Sequence, residues 1–207
     1  MIAVIDYGLG NIRSVSKALE RVGAKVKVTD SPGEIAKAEA LVFPGVGAFR
    51  TGMKNLKEKG ILAAILDAVK KDKPFLGICL GFQLLFSESE EHGPTKGLDI
   101  IKGKVIRFTG KVKVPHMGWN TVKLQSPQPT AHSPQLFDNI PNDSYFYFVH
   151  SYYAVPEDKS VVIATTKYGI EFASVVNKGN VWGVQFHPEK SSDFGLKILE
   201  NFVKNVS

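Results

Sequence analysis

Four times in the first ninety residues a short apolar run gives way to a stretch with helical spacing, and this alternation restricts the fold more than any other feature of the chain. Ile2, Ala3, Val4 and Ile5 read as a strand; Ile12, Val15, Leu19 and Val22 then recur every three or four residues, with Asn11 placed to cap the helix and Gly23 to end it. A second strand is expected over 26–28, followed by a turn at Asp30, Ser31 and Pro32 and a short helical piece. A third covers 41–43 and stops at Pro44 and Gly45. A helix over 61–69 is broken by Lys73 and Pro74, a fourth strand covers 75–78, and 80–86 turns directly into another helix. Repeats of this kind predict a parallel sheet with helices on both faces, because each crossover buries its apolar stripe against the strands it connects.

Beyond Gly97 the period changes to two. Strands are expected over 105–108, 121–124, 145–149, 161–165, 172–176 and 181–184, antiparallel or mixed, with a hairpin at Lys178, Gly179 and Asn180. The polar, proline-containing stretch 125–134 reads as a surface loop. A closing helix over about 194–203 carries Leu196, Leu199, Phe202 and Val203 on one face. The predicted architecture is α/β: a single domain over 1–207, its central, mostly parallel sheet flanked by helices, with additional antiparallel strands in the C-terminal half.

Composition narrows the function. An apolar fraction of 43% and a charged fraction of 22% fit an ordinary globular protein, neither disordered nor fibrous. No apolar run approaches the roughly 20 residues of a membrane span. The N-terminus enters a strand without the basic and apolar regions of a signal peptide, so a cytoplasmic protein with no membrane partner is expected. The formal charge of +6 is spread along the chain, and the nearest basic cluster, 102–113, alternates with apolar residues as a half-exposed strand would. It reads as solvated surface, and no nucleic-acid partner is expected.

Cys79 is the only cysteine, which removes intrachain disulfides and thiolate-rich metal sites and leaves the chemistry of one thiol. A lone cysteine is commonly a buried spectator; its neighbours argue otherwise. Gly77-Ile78-Cys79-Leu80-Gly81 sits where an apolar strand meets a helix, with glycines two residues either side of the cysteine. A turn that tight puts the nucleophile's backbone in a strained region, and close strand–helix packing leaves no room for side chains at the glycines. The thiol would stand at the carboxyl end of the sheet beside a helix N-terminus, where a thiolate is favoured. Strand–glycine–helix junctions also arise for packing alone, so the thiol needs a base, and the base an orienting group. His187-Pro188-Glu189 can supply both: alternate side chains of an extended segment project to one side, so His187 and Glu189 can point together at the end of the strand over 181–184. His92, His116, His132 and His150 are also available to a distant cysteine, and His116 and His150 lie in aromatic-rich segments suited to a structural or interface role. For the oxyanion of acyl transfer, one donor is expected from the amide of Leu80. The other is expected from the loop Pro44-Gly45-Val46-Gly47, whose glycines let a peptide turn its N–H inward.

These segments resemble the class I glutamine amidotransferases. Gly77-Ile78-Cys79-Leu80-Gly81-Phe82-Gln83 and Gly183-Val184-Gln185-Phe186-His187-Pro188-Glu189 are similar to motifs of the whole class. Pro44-Gly45-Val46-Gly47-Ala48-Phe49 and Pro115-His116-Met117-Gly118-Trp119-Asn120 resemble, more narrowly, the glutaminase subunits of imidazole glycerol phosphate synthases in histidine biosynthesis, and Asp6-Tyr7-Gly8-Leu9-Gly10-Asn11 and Phe148-Val149-His150-Ser151-Tyr152 are further matches along the chain. The resemblance implies a Cys79, His187, Glu189 triad that hydrolyses glutamine without metal or organic cofactor. It implies an oxyanion hole from Val46 or Gly47 and Leu80, and glutamine held by Gln83, Glu91, Ser151 and Tyr152. Glu91 could equally belong to a solvated helix end with Glu88 and Glu90. The implied partner is a cyclase subunit with a (β/α)₈ barrel that receives the ammonia and makes imidazole glycerol phosphate and an aminoimidazole carboxamide ribotide. Asn11, Trp119, Tyr145, Tyr147 and Lys190 match positions that face it. The competing readings are a class I glutaminase subunit serving anthranilate or pyridoxal phosphate synthesis, and an inactive binding protein of the same fold.

Overall fold

The computed structural model describes residues 1–125 and 136–206. The 125–134 loop lies, apart from Gln125, outside the described residues. Among the described residues there are thirteen strands and six α-helices, numbered here in chain order. The first half runs β1 (Ile2–Ile5), α1 (Ile12–Arg21), β2 (Val26–Thr29), α2 (Pro32–Lys37), β3 (Ala40–Gly45), α3 (Phe49–Glu58), α4 (Leu62–Lys70), β4 (Phe75–Cys79) and α5 (Leu80–Leu84). Then come β5 (Phe86–Ser89), β6 (Thr95–Lys96), β7 (Ile101–Arg107), β8 (His116–Leu124), β9 (Ser144–His150) and β10 (Tyr152–Pro156). The chain closes with β11 (Val162–Tyr168), β12 (Ile170–Lys178), β13 (Val181–Val184) and α6 (Ser192–Lys204).

The core of the sheet is the parallel set β2-β1-β3-β4-β13, and the antiparallel strands continue from β13 through β12 and β10 to β7. Central parallel strands are covered on both faces, so their residues are apolar without interruption. Val4, Val42, Leu76 and Ile78 pack on one face with Val15 and Leu19 of α1 and Ile198, Leu199 and Phe202 of α6. Ile5, Leu41, Phe43 and Phe75 pack on the other with Ile35, Leu56 and Ile65 of the helices α2, α3 and α4. Among the described residues no helix is long and apolar enough to cross a membrane.

Several boundaries differ from the sequence reading. β3 does not stop before Pro44: Pro44 and Gly45 continue it, paired with Ile78 and Cys79 of β4. Asn11 occupies the N-cap position of α1, but its side chain makes no capping hydrogen bond. Gly23 follows α1 at φ +90°, the left-handed geometry expected where a glycine ends a helix. The helix after Cys79 is two residues shorter than expected, since Phe86 already begins β5. α3 and β10 were not anticipated. Phe49, Met53 and Leu56 do recur with helical spacing in α3, but lysines and a glycine separate them.

Candidate active site

Three strand ends converge at one level of the sheet. In β3 and β4, Gly45 pairs with Cys79; in β4 and β13, Ile78 pairs with Val184. The loop after β3, the residue ending β4 and the segment after β13 therefore meet at the carboxyl edge, where parallel sheets place their ligands. Cys79 has φ +54° and ψ −106°, a conformation that a side chain with a Cβ rarely adopts. Close packing enforces it. A Cβ at Gly81 would be driven into the carbonyl oxygen of Phe43, one at Gly45 would strike the Tyr7 hydroxyl and Leu80, and one at Gly77 would stand 3.0 Å from the Gly81 carbonyl oxygen.

His187 and Glu189 are brought together, but not by the extended segment their spacing suggests: Pro188–Lys190 forms a 3-10 turn, which carries the carboxylate back to the ring. Nδ1 of His187 lies 2.9 Å from Oε1 of Glu189, and both side chains are 1% exposed. This fixes the proton on Nδ1 and leaves Nε2, without a protein hydrogen-bond partner, turned toward Cys79. Burial by itself presses the imidazole toward neutrality, but the Cys79 sulfur beside it, followed by the Glu189 carboxylate, outweighs burial and pushes its pKa up to about 10. The pair is tied into its surroundings through the backbone. The His187 amide donates to the Tyr147 carbonyl at 2.9 Å, the Ser191 hydroxyl donates to the His187 carbonyl at 2.6 Å, and the Tyr147 amide donates to that hydroxyl at 3.0 Å.

A cavity of about 310 Å³ opens over the thiol, lined by Val46, Gly47, Cys79, Leu80, Gln83, Glu91, Pro115, Val149, His150 and Ser151. It holds all three residues expected at the oxyanion hole and three of the four expected to hold substrate. Tyr152 is not in its wall; its carbonyl lies behind, accepting from Gln83 Nε2 at 2.9 Å and His150 Nδ1 at 2.8 Å. Glu91 is no solvated helix end: Oε2 accepts the Phe49 amide at 2.6 Å, which places its carboxylate on the N-terminus of α3. Gly47 has φ +114°, the freedom a reorienting peptide needs. A larger hollow of about 410 Å³, around Tyr153, Val162 and Glu171, holds none of the residues singled out from sequence.

His116 and His150 do not compete for the base. Both are buried on the aromatic side of the β8–β9 pair, 2.9 Å apart through Nδ1 and Nε2. Burial holds their pKa values down to about 4 and about 3. The expected partner-facing residues gather on the same pair from outside. Trp119 and Tyr145 are 52% and 59% exposed beside Met117, Tyr147 meets Trp119 edge-on, and the Lys190 ammonium lies 5.9 Å from the Tyr147 ring. Asn11 stands apart, before α1. The sequence reading left Gln185 and the Val149 carbonyl without a role, yet each lies 3.9 Å from the Cys79 sulfur. Gln185 is two residues from His187 in a strand-like run, and that spacing was the available signal.

A strained cysteine beside a histidine–carboxylate pair, under a cavity lined by Val46, Gly47 and Leu80, is an arrangement that can carry out acyl transfer from an amide. The family model described as Glutamine amidotransferase class-I matches residues 3–206. The chain is 56% identical, over 97% of its length and 93% of the relative's, to imidazole glycerol phosphate synthase subunit HisH of Moorella thermoacetica. It is 52% identical, over 98% of both chains, to the subunit of that name in Syntrophotalea carbinolica. Among solved structures, PurLQS from Thermotoga maritima shares the fold at a TM-score of 0.75 and 20% identity, covering 100% of this chain and 98% of that one. The strained cysteine, the buried histidine–carboxylate pair and this full-length similarity agree, and the chain belongs to the class I glutamine amidotransferases.

Proposed function

We propose that this protein is the glutaminase subunit of an imidazole glycerol phosphate synthase, with Cys79, His187 and Glu189 as its catalytic residues. The observation that carries the catalytic assignment is the placement of Cys79, held at φ +54° at a strand end opposite the free Nε2 of a histidine whose other nitrogen is bound to a buried carboxylate. The Cys79 thiolate attacks the carboxamide carbon of glutamine, and the oxyanion is held by the amide of Leu80 and one from Val46 or Gly47. The His187 imidazolium gives its proton to the departing nitrogen, so the C–N bond breaks, ammonia leaves and a glutamyl thioester remains. His187, now neutral, takes a proton from water as the hydroxide attacks the thioester. Glutamate leaves and the thiolate–imidazolium pair returns. Gln83, Glu91, Ser151 and Tyr152 hold the glutamine, Tyr152 through the carbonyl that orients Gln83.

Both amide hydrogens of Gln83 are engaged, by the Tyr152 carbonyl and by Gln185 Oε1 at 3.1 Å, so its own carbonyl is the end left for a ligand. The partner in this reading is a (β/α)₈-barrel cyclase that receives the ammonia in the cytoplasm, with Asn11, Trp119, Tyr145, Tyr147 and Lys190 on the docking face. The similarity to synthase subunits at about half identity supports it, and residues 1–207 act as one amidotransferase domain. Cys79→Ala should abolish glutamine hydrolysis by the complex while added ammonium salts still sustain cyclase synthesis. Substantial glutamine hydrolysis by the mutant would refute the assignment.

A further inference from the structure

The hydrogen bonds around the cavity form one chain whose direction is set by a single acceptor. The carbonyl of Tyr152 cannot donate, so the two groups facing it must: His150 through Nδ1 at 2.8 Å and Gln83 through Nε2 at 2.9 Å. On one side, a protonated Nδ1 in a neutral ring makes His150 Nε2 an acceptor. His116 therefore donates to it through Nδ1 at 2.9 Å and accepts at Nε2 from Asn120 at 3.1 Å. Asn120 sends its second N–H to the Lys167 carbonyl at 3.0 Å and accepts the Thr121 amide at 2.8 Å, which fixes its orientation too. On the other side, Gln83 Nε2 also faces Gln185 Oε1 at 3.1 Å. The carboxamide of Gln185 thus has its oxygen occupied and must turn its nitrogen the other way, where Nε2 lies 3.9 Å from the sulfur of Cys79. Gln185 is fully buried, so no bulk water competes for that N–H.

We propose that Gln185 is a further catalytic residue, an N–H donor to the Cys79 sulfur in its thiolate form, aimed by the Tyr152 carbonyl through the carboxamide of Gln83. This rests on the reading of Cys79 as the nucleophile and adds to it a second group that stabilises the thiolate. A neutral donor suits this position, because it stabilises the thiolate at rest and again as the thioester is cleaved, without releasing a proton into the His187 cycle. Charge-assisted hydrogen bonds are among the stronger ones, and a buried donor without competing water keeps most of that strength.

Alkylation of the single cysteine by iodoacetamide across pH tests the proposal on the full chain. The other titratable groups around the sulfur are His187, backed by Glu189, and Tyr7, with His150 behind them and Glu91 in the wall of the same cavity, and none is altered in the variants. Gln185→Met removes the donor and should move the alkylation profile to higher pH by roughly one unit. Gln185→Glu keeps an acceptor for Gln83 while setting a carboxylate oxygen against the sulfur, and should move the profile further in the same direction. A residue that only filled space would leave the Gln185→Met profile where it is in the unmutated chain, whatever the carboxylate does in Gln185→Glu. An unmoved profile in folded Gln185→Met would overturn the proposal. Should neither variant fold, the unmutated chain decides: the side-chain ¹⁵N–H signals of Gln185 should shift when Cys79 is alkylated, and signals that stay in place would equally overturn it. Since alkylation is read on the thiol itself, absent glutamine hydrolysis in the unmutated complex counts against the proposed function, whereas an unmoved profile with hydrolysis intact counts against Gln185 alone.

Discussion

Among the buried histidines, His187 gains from its partners what His116 and His150 lose by burial, and the two effects act in opposite directions on stability. The raised pKa of His187, about 10 when folded, contributes stability that is fully present below the ordinary histidine value of about 6.5 and is lost as pH climbs through 10. His116 and His150, held to about 4 and about 3, must stay neutral in the fold while the unfolded chain takes up protons near 6.5. Stability therefore falls as pH drops below 6.5, by at most about 1.4 kcal/mol per pH unit for each ring. Between pH 6.5 and 4.5 most carboxylates are still ionised, so the slope in this window belongs largely to the two histidines. Urea melts across it should show the unfolding free energy declining, and ring ¹H–¹³C shifts of His116 and His150 should stay constant down to pH 5. A ring titrating near 6.5 in the folded protein would contradict this.

At the level of elements, the junction of β4 and α5 is set by steric exclusion and the end of α1 by backbone conformation. Gly81→Ala forces a methyl group into the Phe43 carbonyl and should cost about 3 kcal/mol or more, because a backbone atom of a central strand cannot yield. Gly23→Ala meets no atom within 4 Å and bears only the cost of φ +90° for a residue with a Cβ, about 1 kcal/mol. Thermal melts of the two variants should rank them in that order, and equal losses would show that packing at the junction is looser than the structure gives it.

The same contrast explains what the sequence made legible. The glycines around Cys79 and the proximity of His187 and Glu189 are local signals; the first led to the observed geometry, the second to the right pair by way of a 3-10 turn rather than an extended segment. The continuation of β3 through Pro44 and Gly45 was hidden, since proline ordinarily ends a strand and only pairing with β4 carries the ladder across it. The role of the Tyr152 carbonyl could not be read, because a main-chain group leaves no mark in the residue type. His116 and His150 are 34 positions apart, and only the pairing of β8 with β9 brings their rings together.

On the scale of the whole molecule, Met117, Trp119 and Tyr145 leave an aromatic and apolar surface on β8 and β9, on the outer side of the sheet pair whose inner side carries the two buried histidines. Buried aromatic anchors carry most of the energy at interfaces, so if the proposed cyclase docks here, Trp119→Ala with Tyr147→Ala should weaken its binding on the order of 30-fold or more by calorimetry. The melting temperature of the isolated chain should change little for Trp119, which is already half in solvent. An unchanged dissociation constant would move the docking face elsewhere. The three backbone ties joining Tyr147, His187 and Ser191 give this surface a mechanical character. They brace β9 against the segment after β13 as a triangulated joint, which resists shear where a single hinge bond would give. The outside of β9 and the backbone of the proposed base thereby share one rigid frame, so the position of one constrains the position of the other.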